Sequence, residues 1–234
     1  MPFFAGFDRE RYPGIEMMNW LKENSNLKWC GYYLAPAPNR SRSGWPAQYD
    51  SLKNNWGVVP IYVGQQDPQT RLARCLLTTG QGTTDGENAA ALAGADKFPS
   101  GTAIFLDWEK GDLDANGATA YIAAWLEAVA GDGRFMPGLY CSHLIAGRLA
   151  QLVGAVNLTP LARFWCWRVS TNTRHQFKGD LSAVPELDPV GCGFDGAEAW
   201  QRDQNAIVTL PVGAPLNSLS VDFSTSARPN PAAP

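Results

Sequence analysis

The 234-residue chain lacks the features that mark several common functional classes. No stretch approaches the roughly 20 consecutive apolar residues of a transmembrane helix, which argues against a membrane span. Lys and Arg total 19 against 22 Asp and Glu, without a basic run, so a nucleic-acid partner is not expected. The opening residues MPFFAGFDRERYPG have neither the basic nor the apolar region of a Sec signal peptide. We therefore expect a cytoplasmic protein or one exported by a non-classical route.

Cysteine and histidine are scarce, which limits thiol and metal chemistry. The five cysteines form an odd set without a CxxC pair, whereas a disulfide framework needs an even set in a short secreted chain. The two histidines form no HExxH motif and have no suitably spaced cysteine partners, so a zinc site is not expected. Most of the cysteines lie in apolar runs, and this position predicts buried free thiols.

Short apolar runs alternate with helical or loop segments along most of the chain. With 45% hydrophobic and 18% charged residues, the composition supports one large domain with its own core. The runs are apolar throughout, as expected for strands that are buried on both faces of a parallel sheet. The predicted strands cover residues 3–8, 27–34, 58–63, 102–107, 136–141, 164–169, 198–201 and 220–223.

Eight such strands in one domain predict a (β/α)8 barrel of the TIM type rather than an open doubly wound sheet. The absence of GxGxxG and GxxxxGK[ST] also disfavours the nucleotide-binding folds. Residues 171–196 are rich in Pro and Gly and show no helical period, so the last helices are expected to be degenerate. We expect the barrel to occupy residues 1–226 and the Pro- and Ala-rich residues 227–234 to form a disordered tail.

Carboxylates follow several of the predicted strands, at the end of a barrel where active sites lie. Asp8 ends the first strand, Asp107 and Glu109 end the fourth in LDWEK, and Asp222 lies in the last. Asp107 and Glu109 are two residues apart, so an extended strand places them on one face, roughly 6.5–7 Å apart. Repulsion between them favours a protonated Glu beside an ionised Asp, as a general acid requires. The alternative is that each Asp only caps a turn or helix.

Aromatic and amide side chains at the same predicted rim are candidates for binding a substrate. Aromatic rings offer flat faces on which sugars stack, although aromatic rings also dominate protein cores. The chain has nine Trp, which is high for its length. The candidate substrate-binding residues are Tyr33, Tyr62, Tyr140, Trp167, Trp200 and Gln201.

Five short motifs occur in an order that resembles a known family. GFD, FLDWE, GLYCS, AWQRD and SVDFS resemble the glycoside hydrolase family 25 lysozymes. A closer resemblance is to the glycoside-hydrolase-like family labelled domain of unknown function 1906, through GFD, GYY, PIYVG, DGENAAALA and GTAIFLDWE. The resemblance covers about residues 3–224. It implies a barrel that acts on a β-1,4-linked polymer of 2-acetamido sugars, with peptidoglycan as the expected partner.

The resemblance also implies a role for each carboxylate. Glu109 matches the general acid, and Asp107 matches the adjacent carboxylate that orients the 2-acetamido group of the substrate. Asp8 and Asp222 match acidic residues that flank the scissile sugar. The estimated distance between Asp107 and Glu109 exceeds the roughly 5–5.5 Å of an enzyme with a carboxylate nucleophile, which favours assistance by the substrate. Carboxylates suffice for this hydrolysis, so no cofactor is expected.

One motif departs from the lysozyme pattern and keeps other functions open. GYYLAP stands where the lysozymes have an aromatic-His-aromatic signature. A non-catalytic barrel that binds glycan in the same groove is one alternative. A wall-acting module delivered by a phage or a secretion system is another, and it would explain the missing Sec signal. The sequence leaves the cleaved bond, the stereochemical outcome and the oligomeric state open.

Overall fold

The computed structural model describes residues 2–34, 43–65, 76–108, 113–114 and 116–234. The helices are α1 (Ile15–Asn24), α2 (Tyr49–Leu52), α3 (Thr79–Ala95), α4 (Ala118–Gly131) and α5 (His143–Ala155). The strands are β1 (Phe4–Asp8), β2 (Trp29–Tyr33), β3 (Gly57–Val63), β4 (Ala103–Trp108), β5 (Met136–Ser142), β6 (Arg163–Trp167), β7 (His175–Gln176), β8 (Ala197–Thr209) and β9 (Ser218–Ser226).

Eight of these strands close into a single barrel, which confirms the predicted fold class. The ring runs β1-β2-β3-β4-β5-β6-β8-β9 and returns to β1, while β7 pairs with β8 outside the ring. The first seven strands of the ring are parallel to one another, and helices cover the connections up to α5. Within the described residues, no helix has both the length and the apolar character needed to cross a bilayer.

The last part of the barrel differs from a regular alternation of strands and helices. Residues 156–234 are all described and contain no α-helix, only two short 3-10 turns at Leu181–Ala183 and Pro189–Cys192. β8 and β9 form a hairpin, so β9 runs antiparallel to both β8 and β1. The last helices are therefore missing, as the sequence predicts, and the last strand also runs in the opposite direction to its neighbours, which the sequence does not predict.

Aromatic side chains fill the inside of the barrel. The Trp165 ring lies at their centre, stacked on Tyr140 with centroids 4.2 Å apart. Trp29 and Phe105 meet the same indole edge-on, at 5.0 and 6.0 Å. All four rings are fully buried. The barrel interior is therefore a packed core below the rim, and this core supports the side chains at the carboxyl ends of the strands.

Small residues allow α3 and α4 to pack closely against each other outside the sheet. A Cβ at Gly82 would lie 2.2 Å from the main-chain oxygen of Tyr121, and one at Gly86 2.7 Å from that of Trp125. α3 begins at Thr79, where the Thr78 hydroxyl caps the helix by accepting a hydrogen bond from the Gln81 N–H.

The cysteines of the described residues are buried and unpaired, as their apolar surroundings predict. Cys30, Cys141, Cys166 and Cys192 are free thiols inside the core. Burial raises the pKa of the Cys30 thiol far above its ordinary value. Such thiols pack as small apolar side chains. Cys75 lies outside the described residues.

Residues 227–234 are packed against the barrel, which differs from the disordered tail that their composition predicts. The Ala232 carbonyl accepts the Ala103 N–H at 2.8 Å, and the Pro231 carbonyl accepts Nη1 of Arg163 at 2.8 Å. Pro229 and Asn230 lie against Gly57, which has no side chain to hold them away. The segment therefore crosses the amino-terminal ends of β3, β4 and β6. Its carbonyl groups accept hydrogen bonds from the Ala103 N–H and the Arg163 guanidinium, and such pairings cannot be predicted from the composition of the segment.

Removal of this segment is expected to destabilise the barrel. A chain ending at Arg228 loses both hydrogen bonds and the buried Ala232, and we expect a loss of about 2 kcal/mol. For a domain of this size, that loss lowers Tm by roughly 4–8 °C, which calorimetry would detect. A chain ending at Ala233 keeps both contacts and is expected to melt with the full chain. Equal Tm values for all three chains would contradict the prediction.

Candidate active site

A buried and a half-buried carboxyl group lie side by side at the carboxyl rim of the barrel. Asp8 is the last residue of β1, and it pairs directly with Asp222 in the antiparallel β1–β9 ladder. Residues opposite each other in such a ladder share a face, with Cβ atoms about 4.5–5.5 Å apart. Asp222 lies in the middle of β9, and the reversed direction of that strand brings it to the end of β1. Asp8 is only 1% exposed.

The surroundings of Asp222 favour its protonated form. Burial is the main cause that raises the pKa of Asp222 to about 6, well above the ordinary value for an aspartate. The main-chain N–H of Asn205 donates to Oδ1 of Asp222 at 2.6 Å and lowers this pKa. The charge of Asp203 raises it further, and the Gln201 amide opposes that effect. The carboxyl group therefore changes charge near neutral pH.

Asp8 is held by a tyrosine from the neighbouring strand. The Tyr33 hydroxyl, on β2, donates to Oδ2 of Asp8 at 2.8 Å. Gly31 makes this approach possible, because a Cβ there would lie 2.6 Å from Cβ of Asp8. Tyr33 is 8% exposed at the rim, so its ring edge borders the space above the carboxyl pair.

Asp107 brings a third carboxyl group to the same end of the barrel from β4. It is 5% exposed and pairs in register with Val63 on β3 and Tyr140 on β5. The Tyr140 hydroxyl donates to Oε1 of Gln201 at 2.6 Å, and this bond directs the amide nitrogen of Gln201 away from Tyr140. The structure thus places Asp8, Asp107, Asp222, Tyr33, Tyr140 and Gln201 at the carboxyl ends of the barrel strands.

Glu109, the predicted general acid, lies outside the described residues, because the described part of β4 ends at Trp108. Its distance from Asp107 therefore stays a prediction. Trp108 is fully buried and packs on Tyr121 of α4, with ring centroids 5.9 Å apart. Asp107 faces the other side of the strand from Trp108.

Two of the predicted substrate-binding residues face away from the barrel interior. Tyr62 alternates with the inward-facing Ile61, and its hydroxyl accepts Nδ2 of Asn88 on α3 at 3.1 Å. Trp200 alternates with Gln201, and its indole N–H donates to the Arg168 carbonyl at 3.0 Å. Both rings therefore belong to the outer layer of the barrel.

The Trp167 side chain points into the barrel, unlike those of Tyr62 and Trp200. It is the last residue of β6 and pairs in register with Ser142 on β5 and Gln201 on β8. Its side chain is half-buried. The ring can therefore present one face at the rim, and Trp167 keeps its predicted place beside the carboxyl groups.

The structure adds three residues that the sequence patterns did not single out. Asn205 holds Asp222 through its main-chain N–H, and Asp203 lies close enough to affect the Asp222 charge. His175, on β7, contacts Oδ1 of Asp203 through Nε2 at 2.9 Å. The polar run QRDQN, which begins at the last residue of the predicted strand 198–201, was the available signal, but it does not show which side chains turn inward.

The arrangement of these groups suits acid–base chemistry. A carboxyl group whose pKa is raised to about 6, beside other carboxyl groups at the same rim, can exchange a proton within the range of ordinary pH, as bond hydrolysis requires. Among residues 2–34, 43–65, 76–108, 113–114 and 116–234, no group of three or more His, Cys, Asp or Glu side chains is arranged to hold a metal ion.

A closed α/β barrel with buried carboxyl groups at the carboxyl rim is the architecture of a glycoside-hydrolase-like protein. Residues 19–204 match the family model of the Rv2525c-like, glycoside hydrolase-like domain. The chain belongs to this family, which confirms the relationship that its motifs predict. Comparison with curated protein sequences gives no significant match.

Solved structures with the same fold include proteins of the family and lysozymes. An uncharacterised B. stearothermophilus protein shares 20% identity, with a TM-score of 0.67 and 96% of each chain covered. The Tat-secreted Rv2525c of Mycobacterium tuberculosis shares 14%, with a TM-score of 0.52, 97% of this chain and 96% of that chain covered. A lysozyme of Streptomyces coelicolor shares 14%, with a TM-score of 0.55 and coverage of 96% and 92%. At these identities, the similarity shows a common fold.

Proposed function

We propose that the protein is a glycosidase that cleaves β-1,4 bonds of a polymer of 2-acetamido sugars, with peptidoglycan as its substrate. The observation that carries the proposal is the placement of Asp8, Asp107 and Asp222 at one end of the barrel, with Asp8 and Asp107 buried and Asp222 half-buried. Burial of a carboxylate lowers the free energy of unfolding, so buried carboxyl groups are found preferentially at functional sites. The fold shared with a bacterial lysozyme supports the same class of reaction.

In the proposed reaction, Glu109 donates a proton to the glycosidic oxygen as the bond to the sugar breaks. Asp107 orients the 2-acetamido group, whose carbonyl oxygen attacks the anomeric carbon and forms a cyclic oxazolinium intermediate. Water then opens this intermediate, and Glu109 takes up the proton that the water loses. Mixed protonation of closely spaced carboxyl groups makes such a pairing of acid and base workable at neutral pH.

Asp8 and Asp222 flank the sugar in this proposal and balance its developing positive charge. The pair is directly opposed across the β1–β9 ladder, so one proton shared between the two groups relieves their repulsion. Tyr33 keeps Asp8 in place through its hydroxyl, and Trp167 offers a ring face to the neighbouring sugar. In this proposal, the polymer therefore binds at the carboxyl rim of the barrel.

Digestion of purified sacculi by the native chain and by Glu109→Gln tests the proposal. We expect the native chain to release muropeptides with new reducing ends, detected by mass spectrometry. Loss of the general acid is expected to slow release about 10²–10⁴-fold. Glu127→Gln is the matched control, because Glu127 is exposed on α4, and this variant is expected to match the native rate.

Three outcomes of the sacculus digestion would contradict the proposal. Absence of release by both the native chain and Glu109→Gln, with sacculi still captured by both, would leave a barrel that binds glycan without cleaving it. Release at the native rate by Glu109→Gln would show that another group supplies the proton. A fall of the release rate in Glu127→Gln equal to that in Glu109→Gln would also count against the assignment.

A further inference from the structure

A short strand outside the barrel ring, β7, is docked beside Asp222 by side chains. Nδ2 of Asn205 donates to the Asn172 carbonyl at 2.7 Å, just before β7 begins. His175 of β7 contacts Oδ1 of Asp203 through Nε2 at 2.9 Å. Both partners on the barrel side belong to β8. The segment is therefore tied to β8 at Asp203 and at Asn205, the residue whose main-chain N–H reaches Asp222.

β8 carries an irregularity at this point, and the irregularity aims a donor at Asp222. The pairing of β8 with β9 shifts register between Gln201 and Asp203 and again between Asp203 and Ala206. Asn205 has φ 58°, a left-handed conformation that Asn tolerates better than most residues. In that conformation its main-chain N–H reaches Oδ1 of Asp222 at 2.6 Å. Bulges of this kind commonly redirect groups beside active sites.

His175 lies between two hydrogen-bond acceptors. Nδ1 lies 3.0 Å from the Thr173 carbonyl and Nε2 lies 2.9 Å from the Asp203 carboxylate. A proton on Nε2 allows the ring to donate to the Asp203 carboxylate. The geometry therefore places an imidazole donor directly beside the Asp203 charge.

The charged groups around Asp222 come from three strands. Asp8 faces it from β1, and Asp203 lies near it on β8. Arg202, on β8, is stacked over the Trp200 ring at 5.3 Å, and the negative charge of Asp203 raises the pKa of its guanidinium, against the larger lowering by burial. Arg174 and Lys178, which flank β7, are exposed and screened by solvent. His175 is the half-buried side chain that contacts the Asp203 carboxylate directly.

We propose that Asn205 and the His175–Asp203 pair are positioning residues for Asp222, with Asn205 holding one carboxyl oxygen and the pair setting the charge beside it. The proposal rests on the proposed function, because it assigns a task to Asp222 in that reaction. Asp222 remains the group that faces the substrate, and the three residues act through it. The docking of β7 keeps the bulge of β8 in the conformation that reaches the carboxyl group.

Carbon-13 NMR of the free, full-length protein tests the proposal without depending on turnover. The Asp222 carboxyl signal is identified by its loss in Asp222→Asn, and its pKa is then measured in each variant. Removal of the like charge in Asp203→Asn is expected to lower the Asp222 pKa by about one unit. His175→Gln removes the ring that contacts the Asp203 carboxylate, so we expect a rise. Asn205→Gly keeps the left-handed backbone but loses the tie to Asn172, so we also expect a rise.

Two control variants make the same chemical changes elsewhere. His143→Gln alters the other histidine, whose Nδ1 contacts the Trp167 carbonyl, and Asp195→Asn alters an exposed aspartate. Neither is expected to move the Asp222 pKa. An Asp222 pKa that is unchanged in His175→Gln and Asp203→Asn, with both variants folded, would overturn the proposal. So would shifts of equal size in the control variants.

The same set of variants separates this proposal from the proposed function. Shifted Asp222 pKa values in a protein that releases nothing from sacculi support the positioning role and count against the glycosidase. Release by the native chain, with an Asp222 pKa that no variant moves, supports the glycosidase and overturns the positioning role. Where release occurs, the pH profile of each variant is expected to move in the direction of its Asp222 pKa.

Discussion

Replacement of Asp222 by Asn is expected to stabilise the protein at pH 7.5 by about 2 kcal/mol while it slows the proposed reaction. The folded state holds Asp222 with a pKa of about 6, whereas an aspartate in the unfolded chain titrates near its ordinary value. Above pH 6 the folded protein therefore carries an ionised group that burial disfavours. Asn removes that charge and still accepts the Asn205 N–H.

The stabilisation is expected to depend on pH in a defined direction. Between about pH 4 and pH 6 the folded state binds more protons than the unfolded state, so stability falls as pH rises through this range. Asp222→Asn removes that loss. Its advantage is expected to be full above pH 6 and to shrink to about 0.5 kcal/mol at pH 4. Urea unfolding at pH 7.5 and pH 4 measures both values.

Asp195→Asn is the control, because the same change at an exposed position is expected to alter stability by less than about 0.5 kcal/mol. Equal effects of Asp222→Asn at the two pH values would contradict the assigned pKa. The same variant is expected to slow release from sacculi about 10²–10³-fold, because Asp222 balances the developing positive charge of the sugar in the proposed reaction. A more stable protein with lower activity would show that the Asp222 carboxylate lowers the stability of the fold while it supports the reaction.

Replacement of Gly6 by Val is expected to prevent the barrel from folding. A Cβ at Gly6 would lie 2.1 Å from Cε2 of Trp29 and 2.2 Å from Cδ2, both in a rigid ring. Trp29 cannot retreat, because it is fully buried against Trp165 and its indole N–H donates to the Phe4 carbonyl at 3.2 Å. Overpacking costs typically about 1–3 kcal/mol, and this contact, which displaces the central rings, is expected to exceed that range.

The yield of soluble protein and the near-UV circular dichroism of the tryptophans measure this effect. Gly147→Ala is the matched control, since Gly147 lies within α5 and a Cβ there meets no atom within 4 Å. Alanine in a helix is better than glycine by up to about 1 kcal/mol, so this variant is expected to be as stable as the native chain or more stable. A folded Gly6→Val protein with native ellipticity would refute the packing argument.

The pattern of apolar runs was sufficient to predict the strands, but not the direction of the last one. Continuous apolar sequences such as VVPIYV identify buried strands irrespective of their direction. β9 reverses because Thr209 and Ser218 are joined by a short turn closed by the Leu210 N–H to the Asn217 carbonyl. The sequence LPVGAPLN contains turn residues that allow a hairpin, but the choice between a hairpin and a helical connection depends on the rest of the barrel.

The same limitation explains why only part of the candidate site was predicted. Position at a strand end identified Asp8 and Asp107, because their carboxyl groups follow apolar runs. Which face a residue takes depends on the phase of a two-residue alternation, and strands that are apolar on both faces do not reveal it. Tyr62 and Trp200 were therefore assigned to the rim, although they pack in the outer layer. The bulge that aims Asn205 at Asp222 depends on register, which a single sequence does not contain.

The contacts of the carboxyl-terminal segment bear on how the chain reaches its folded state. β1 finishes its pairing only with β9, more than 200 positions later, and residues 229–232 then bind the beginnings of β3, β4 and β6. During synthesis, the strands made first therefore keep unpaired edges until residues 218–232 leave the ribosome. Folding dominated by such distant contacts is slow, and open sheet edges invite association with other chains. We expect newly made chains to depend on chaperones until the last strand closes the ring.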